Sequence, residues 1–217
     1  MSELLWPSRF TEDWLEHKKE AIGGFAYARE MMCTPLSDDT QVFKLQWVQY
    51  YEETFLDLRK DLTQIYAGVD LAISKRQSAD FFAIVTIGLT SDKKIYVLDA
   101  YKDKLTMQGQ WDAVKERFTR FHHTIIAIES NAYQMAMAQH LILNTFMPIR
   151  AFHTTQDKVA RAQRLSRHFE NGKVFMREHM TDLLDELLQF PAGAHDDMVD
   201  ALGFATDQAI YANTWSK

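Results

Sequence analysis

Residues 66–101, "YAGVDLAISKRQSADFFAIVTIGLTSDKKIYVLDAY", decide how the chain folds. "YAGVDLAIS", "FFAIVTIGLT" and "KIYVLDAY" are three strand-like runs rich in Val, Ile, Phe and Tyr, and "SDKK" between the last two reads as a turn. Successive strands joined this closely form an antiparallel meander.

Downstream the periodicity changes. "TMQGQWDAVKERFTRF" (106–121) spaces Trp111, Val114 and Phe118 as a helix does, and "TIIAIES" (124–130) is a short apolar strand. "NAYQMAMAQHLILN" (131–144) predicts a helix, "PIRAFH" (148–153) a fifth strand, and "QDKVARAQRLSRHFE" (156–170) a helix closed by Asn171-Gly172. "TDLLDELLQF" and the run after His195 add two more helices. Three antiparallel strands continued by alternating helix and strand predict an α/β fold with one mixed sheet and helices on its faces.

Upstream, aromatic residues such as Trp6, Trp14, Phe43 and Trp47 lie scattered among helix formers, with breaks at Gly23-Gly24 and "TPLSDD". Residues 1–62 are therefore read as a helical lead-in and 63–217 as the domain proper.

Composition narrows the class. Of 217 residues, 47% are hydrophobic, enough for a substantial core. The single cysteine, Cys33, excludes an internal disulfide or a cysteine-based zinc cluster and suits a reducing cytoplasm. No segment approaches the ~20 apolar residues of a membrane span, and the start carries no secretory pattern. With 24 Lys plus Arg against 30 Asp plus Glu, the net charge of −6 excludes a protein that simply coats nucleic acid. Any phosphate-binding surface must be local.

Four carboxylates stand out. Asp70 interrupts an apolar strand, where an unpaired charge costs several kcal/mol or is given up, so a counter-cation is expected. Glu129 ends the strand "TIIAIES", where sheets of this kind border a ligand cleft. Asp196 and Asp197 sit side by side at the head of the last helix. One such Asp would serve as a helix cap; a pair, joined by Asp70 and Glu129 at one sheet edge, suits hard dications, Mg²⁺ or Mn²⁺, rather than Zn²⁺. Two such ions can clamp an in-line phosphoryl displacement, with Asp70 the candidate bridge. His195 could orient the pair, and Asp200 is expected to stand behind it or face solvent.

Candidate DNA contacts are Lys75 and Arg76, just beyond the Asp70 strand, and Lys158, Arg161, Arg164 and Arg167 at i+3 spacing along one helix. A basic strip of this kind, in an otherwise acidic chain, is a candidate phosphate track. Phe81 and Phe82 are expected in the sheet, and Met135 and Met137 in a helix interface.

"GVDLAISKRQSADFFAIVTIG", "IIAIESNAYQ", "DKVARAQRLSRHFENGKVFM" and "FPAGAHDDMVDALGFA", in that order, resemble the C-terminal nuclease domain of the large terminase subunit of tailed bacteriophages, an RNase H-like fold. The segment "LLWPSRFTEDWLEHKKEAIGGFAYAREMMCTPLSDD" looks like the connector from motor to nuclease in those proteins. The resemblance implies catalytic metal binding by Asp70, Glu129, Asp196 and Asp197. It further implies a metal-dependent endonuclease cutting double-stranded DNA concatemers during packaging. The implied partners are the terminase ATPase motor domain, the portal protein and the small terminase subunit, in the bacterial host cytoplasm. The chain itself has no G-x-x-x-x-G-K-[ST] loop, so no ATP chemistry is expected of it. Competing expectations are another RNase H-like nuclease, such as a Holliday-junction resolvase, and a non-catalytic module for DNA gripping or portal docking.

Overall fold

A computed structural model describes residues 9, 11–22, 41–72, 81–129, 142, 145–153 and 157–211. The expected helix at 131–144 and the residues Lys75, Arg76, Met135 and Met137 lie outside them, apart from the single helical position 142.

The described elements run α1 (Glu12–Ile22), β1 (Gln49–Tyr50), α2 (Phe55–Arg59), β2 (Leu62–Asp70), β3 (Phe82–Thr90), β4 (Ile95–Asp103), α3 (Met107–Phe121), β5 (Ile125–Glu129), β6 (Ile149–Phe152), α4 (Lys158–Glu170), β7 (Val174–Met176), α5 (Thr181–Gln189) and α6 (Asp197–Tyr211). The strands form one sheet of order β1-β7-β4-β3-β2-β5-β6. β2, β3 and β4 are the expected antiparallel meander, and β5 joins β2, and β6 joins β5, in parallel. The mixed α/β fold expected from the sequence is the observed one.

Two strands were not anticipated. β7 pairs parallel with the start of β4, and β1 pairs parallel with β7. β1 lies within the stretch read as a lead-in, and Phe43 is packed edge-on to Phe169 at 5.5 Å in the main core. Gln49–Tyr50 are thus a strand of the sheet, and Phe43 is part of its core. Strands of two and three residues carry no readable alternation, so only the pairing defines them.

Local chemistry sets the helix ends. Thr106 caps α3 by accepting from the Gly109 N–H, and Asp157 caps α4 by accepting from Ala160. Gly172, at φ +63°, turns the chain out of α4, a conformation that suits glycine.

Strand alternation divides the core between the two faces. Val69, Phe82, Ile84, Ile126 and Ile128 pack with Val114 of α3. Tyr66, Val85, Ile87 and Val97 pack with Leu165, Phe169, Leu183, Leu187, Val199 and Leu202 from α4, α5 and α6.

Candidate metal and nuclease site

The same alternation that puts Val69 on the α3 face puts Gly68 and Asp70 on the α6 face. A Cβ on Gly68 would lie 1.9 Å from the Ala201 carbonyl oxygen, so α6 crosses β2 in backbone contact. Ala201 lies one residue past Asp200 and one turn past Asp197. One pleat beyond Gly68, Asp70 consequently meets the first turn of α6.

Register supplies the neighbours. Gly68 pairs with Ala127 and Val69 with Ile128, which brings Glu129 beside Asp70; on the other side Asp70 pairs with Ala83, and Ala83 with Lys102. A row of Lys102, Ala83, Asp70 and Glu129 therefore crosses the ends of four strands beneath the start of α6. Ala83, small and fully buried, leaves the carboxylates room.

Electrostatics are in keeping with this placement. Burial drives the Asp70 carboxyl well above the ordinary aspartate range, and the carboxylates of Asp200, Asp197 and Glu129 push it further, with Lys158 opposing. Burial also raises Glu129, with Arg161 pulling the other way. Asp197 is raised by burial against the pull of Lys102 and His195. One oxygen of Asp197, Oδ2, is buried without a hydrogen-bond partner. Such an atom is costly unless something cationic meets it.

Cations already present hold the other acids. The Lys158 ammonium lies 2.6 Å from Asp196 Oδ1 and 2.6 Å from Asp200 Oδ2. Arg161 donates to Asp200 Oδ1 at 2.6 Å, and its guanidinium lies over the Phe204 ring. The helix start is anchored from behind: Glu186, 5% exposed, accepts from the Met198 N–H at 2.8 Å and pairs with Lys102. Neither Glu186 nor Lys102 was picked out by sequence reasoning. The signal was present for Glu186, which shares the i, i+3, i+4 face of Leu183 and Leu187, where a carboxylate has no place without a partner.

Asp70 thus lies among Asp200, Asp197 and Glu129, and Lys158 ties Asp196 to Asp200. Asp200 is 7% exposed and paired, so it lies inside the cluster rather than in solvent. His195 is half exposed, stands 3.8 Å from Asp197 Oδ2 and meets the edge of Phe81. Phe82 is in the core as expected, whereas Phe81 carries Lys102 and Lys104 over its ring at the rim of the site.

The expected basic strip on α4 divides. Arg161 is 6% exposed and is corrected from a surface contact to a buried partner of Asp200. Arg164 pairs with Asp207 at 3.0 Å, Lys158 is held by the acids, and Arg167 is exposed. The reason is angular. Each i+3 step falls about 60° short of a full turn, so the three steps from Lys158 to Arg167 drift roughly halfway round the helix, and Arg161 lands only about 40° from buried Leu165.

An all-carboxylate donor set with a buried oxygen that lacks a hydrogen bond fits a hard divalent cation. The cage is not closed: among the described residues no three His, Cys, Asp or Glu side chains are gathered as a ready-made metal site, and Lys158 already occupies two carboxylates.

Comparison with known proteins agrees with this architecture. The large terminase nuclease of thermophilic phage G20c, solved with bound zinc, is 20% identical, with a TM-score of 0.57 over 77% of this chain and 98% of that one. The same nuclease with bound magnesium gives 18% identity, a TM-score of 0.55 and coverage of 77% and 97%. The large terminase nuclease domain of P22 gives 14% identity, a TM-score of 0.56 and coverage of 76% and 90%. No match is found among curated protein sequences. The family model of the terminase RNase H-like domain matches residues 67–208, which span every carboxylate of the cluster. By that match and by its fold, the chain belongs to the terminase RNase H-like domain family.

Proposed function

We propose that this chain is a divalent-metal-dependent endonuclease that hydrolyses phosphodiester bonds in double-stranded DNA, cutting concatemers during phage genome packaging. The observation that carries this reading is the position of Asp70 at a strand end, beside Glu129 and under the helix start that bears Asp197, whose Oδ2 is buried without a hydrogen-bond partner.

Asp70, Glu129, Asp196 and Asp197 would hold Mg²⁺ or Mn²⁺. Bound there, two such ions would supply an activated water and neutralise charge developing on the phosphate. The chain's own residues provide the frame. β2 and β5 set the spacing of Asp70 and Glu129, while Glu186 and Lys102 fix the helix start that presents Asp197. Burial keeps Asp70, Glu129 and Asp197 poised for a cation, because each gains more from one than a solvated acid would.

Duplex DNA would approach over the strand ends. Lys75 and Arg76 remain candidates to hold it; Arg167 is the exposed cation of α4, and Lys158 joins them once released from the acids. A large terminase from a thermophilic bacteriophage, solved in complex with ADP, matches 94% of this chain and 53% of its own length, at 9% identity and a TM-score of 0.56. On this reading a motor domain, the portal and the small terminase subunit are the partners, and the bacterial cytoplasm is the place of action. Among the described residues no helix is long and apolar enough to cross a membrane.

The test is supercoiled plasmid incubated with the purified chain in Mg²⁺, Mn²⁺ or EDTA, beside Asp70→Asn and Asp197→Asn variants that retain their circular dichroism. Nicking and linearisation that need the metal and vanish in both variants support the reading. Equal cutting by the variants, or none by the wild type in either metal, removes it. Strong preference for a four-way junction over linear duplex would redirect it to a resolvase.

A further inference from the structure

Lys158 stands where helix physics disfavours it. It is the first residue of α4, directly after the Asp157 cap, and the exposed N–H groups there repel a cation. Yet its ammonium bridges Asp196 and Asp200 at 2.6 Å each and is the cation that opposes the charge on Asp70. Arg161 already neutralises Asp200 from the other side, so the second contact on Asp200 is not needed to bury that acid. What Lys158 adds is a positive charge inside the carboxylate cluster, carried on a flexible, half-exposed stem.

We propose that Lys158 is a built-in stand-in cation: it neutralises the carboxylate cluster while no metal is bound, competes with the incoming divalent ion, and swings out of the cluster when that ion enters. This rests on the carboxylates being a metal site, as proposed above. The competition is direct, since an ammonium on Asp196 occupies an oxygen that a dication would need, and the two cations repel at short range. Lys158 is therefore a positioning residue that sets metal affinity, and its release delivers an ammonium to the DNA-facing side only after metal is in place.

Calorimetric titration of Mn²⁺ into the wild type, Lys158→Gln and Lys158→Arg tests this without reference to cutting. Lys158→Gln is expected to melt lower than the wild type without metal and to bind Mn²⁺ about tenfold more tightly, while Lys158→Arg, which keeps the charge, stays close to the wild type. Equal or weaker Mn²⁺ binding by folded Lys158→Gln overturns the proposal. A second measurement needs no variant. Acylation of lysines in the wild type, read by mass spectrometry, should show Lys158 protected without metal and several-fold more reactive with Mn²⁺; unchanged reactivity under saturating Mn²⁺ overturns it equally. If the wild type binds no Mn²⁺ at all, the metal-site reading itself fails, an outcome distinct from binding that ignores Lys158.

Discussion

The Cβ that Gly68 lacks would stand 1.9 Å from the Ala201 carbonyl oxygen and 2.6 Å from the Ala205 nitrogen, so β2 and α6 meet backbone to backbone. Neither obstacle is the flexible end of a side chain, and the helix itself must retreat to admit a methyl group. Gly68→Ala is expected to cost about 3 kcal/mol, the upper end of core overpacking, or more. Urea denaturation reads the stability. Because Asp70 is one pleat away, divalent-dependent cutting should also fall in whatever fraction remains folded; a variant as stable and active as the wild type would show that the contact is not tight.

Arg161 offers a direct choice between two roles. If it is the buried partner of Asp200, Arg161→Ala leaves that acid to Lys158 alone and costs up to about 3 kcal/mol. Were it a phosphate contact, the same change would leave stability alone and reduce the salt dependence of DNA binding. Chemical denaturation beside DNA binding at two salt concentrations decides, and the large stability loss is the expected result.

Asp70→Asn should move stability and function in opposite directions. Its carboxyl is held in the fold against burial and three neighbouring acids, so neutralising it relieves repulsion in the metal-free protein. A gain of about 0.5–2 kcal/mol is typical when such a functional conflict is removed. Calorimetry without metal should show the variant melting higher, and the order should shrink or reverse in Mn²⁺. A variant less stable than the wild type under both conditions would mark Asp70 as a structural acid instead.

His123 predicts the pH response away from the site. It is 4% exposed, pairs with Thr86 Oγ1 at 3.0 Å through Nε2, and burial, aided by His122 and Arg117, lowers its pKa to about 4. The fold therefore keeps it neutral. An unfolded histidine takes its proton near pH 6.5, so the stability from His123 is fully present above that value and is lost as pH falls from about 6.5 to 4. The loss is about 3 kcal/mol. The raised carboxyls of Asp70, Glu129 and Glu186 act in the opposite sense, gaining stability as they protonate. The clean measurement is thus the difference in urea midpoint between wild type and His123→Gln, which should change steadily in the variant's favour between pH 7 and 4.5. A constant difference would mean that His123 titrates alike in both states.

Much of this protein is written in local pattern. The β2–β3–β4 meander, β5 and helices α3 to α6 follow from apolar spacing and turn residues, because strands and helices bury different periods of side chain. Asp70 and Glu129 were visible as charges at the wrong places, and the Asp196-Asp197 pair as one charge more than a cap requires. Composition and sequence together therefore sufficed for the fold class and pointed to carboxylates that the fold brings near one strand end. Three things waited for the tertiary structure. The short strands β1 and β7 exist only through pairing. The α4 cations drift round the helix, so only packing against α6 could assign Arg161 to Asp200, Arg164 to Asp207 and Lys158 to the acid cluster. Finally, Glu186 and Lys102 come from segments 84 residues apart, and no periodicity reports a contact over that distance; it is decided by which helix face lies on which strand end, a property of the whole packed chain.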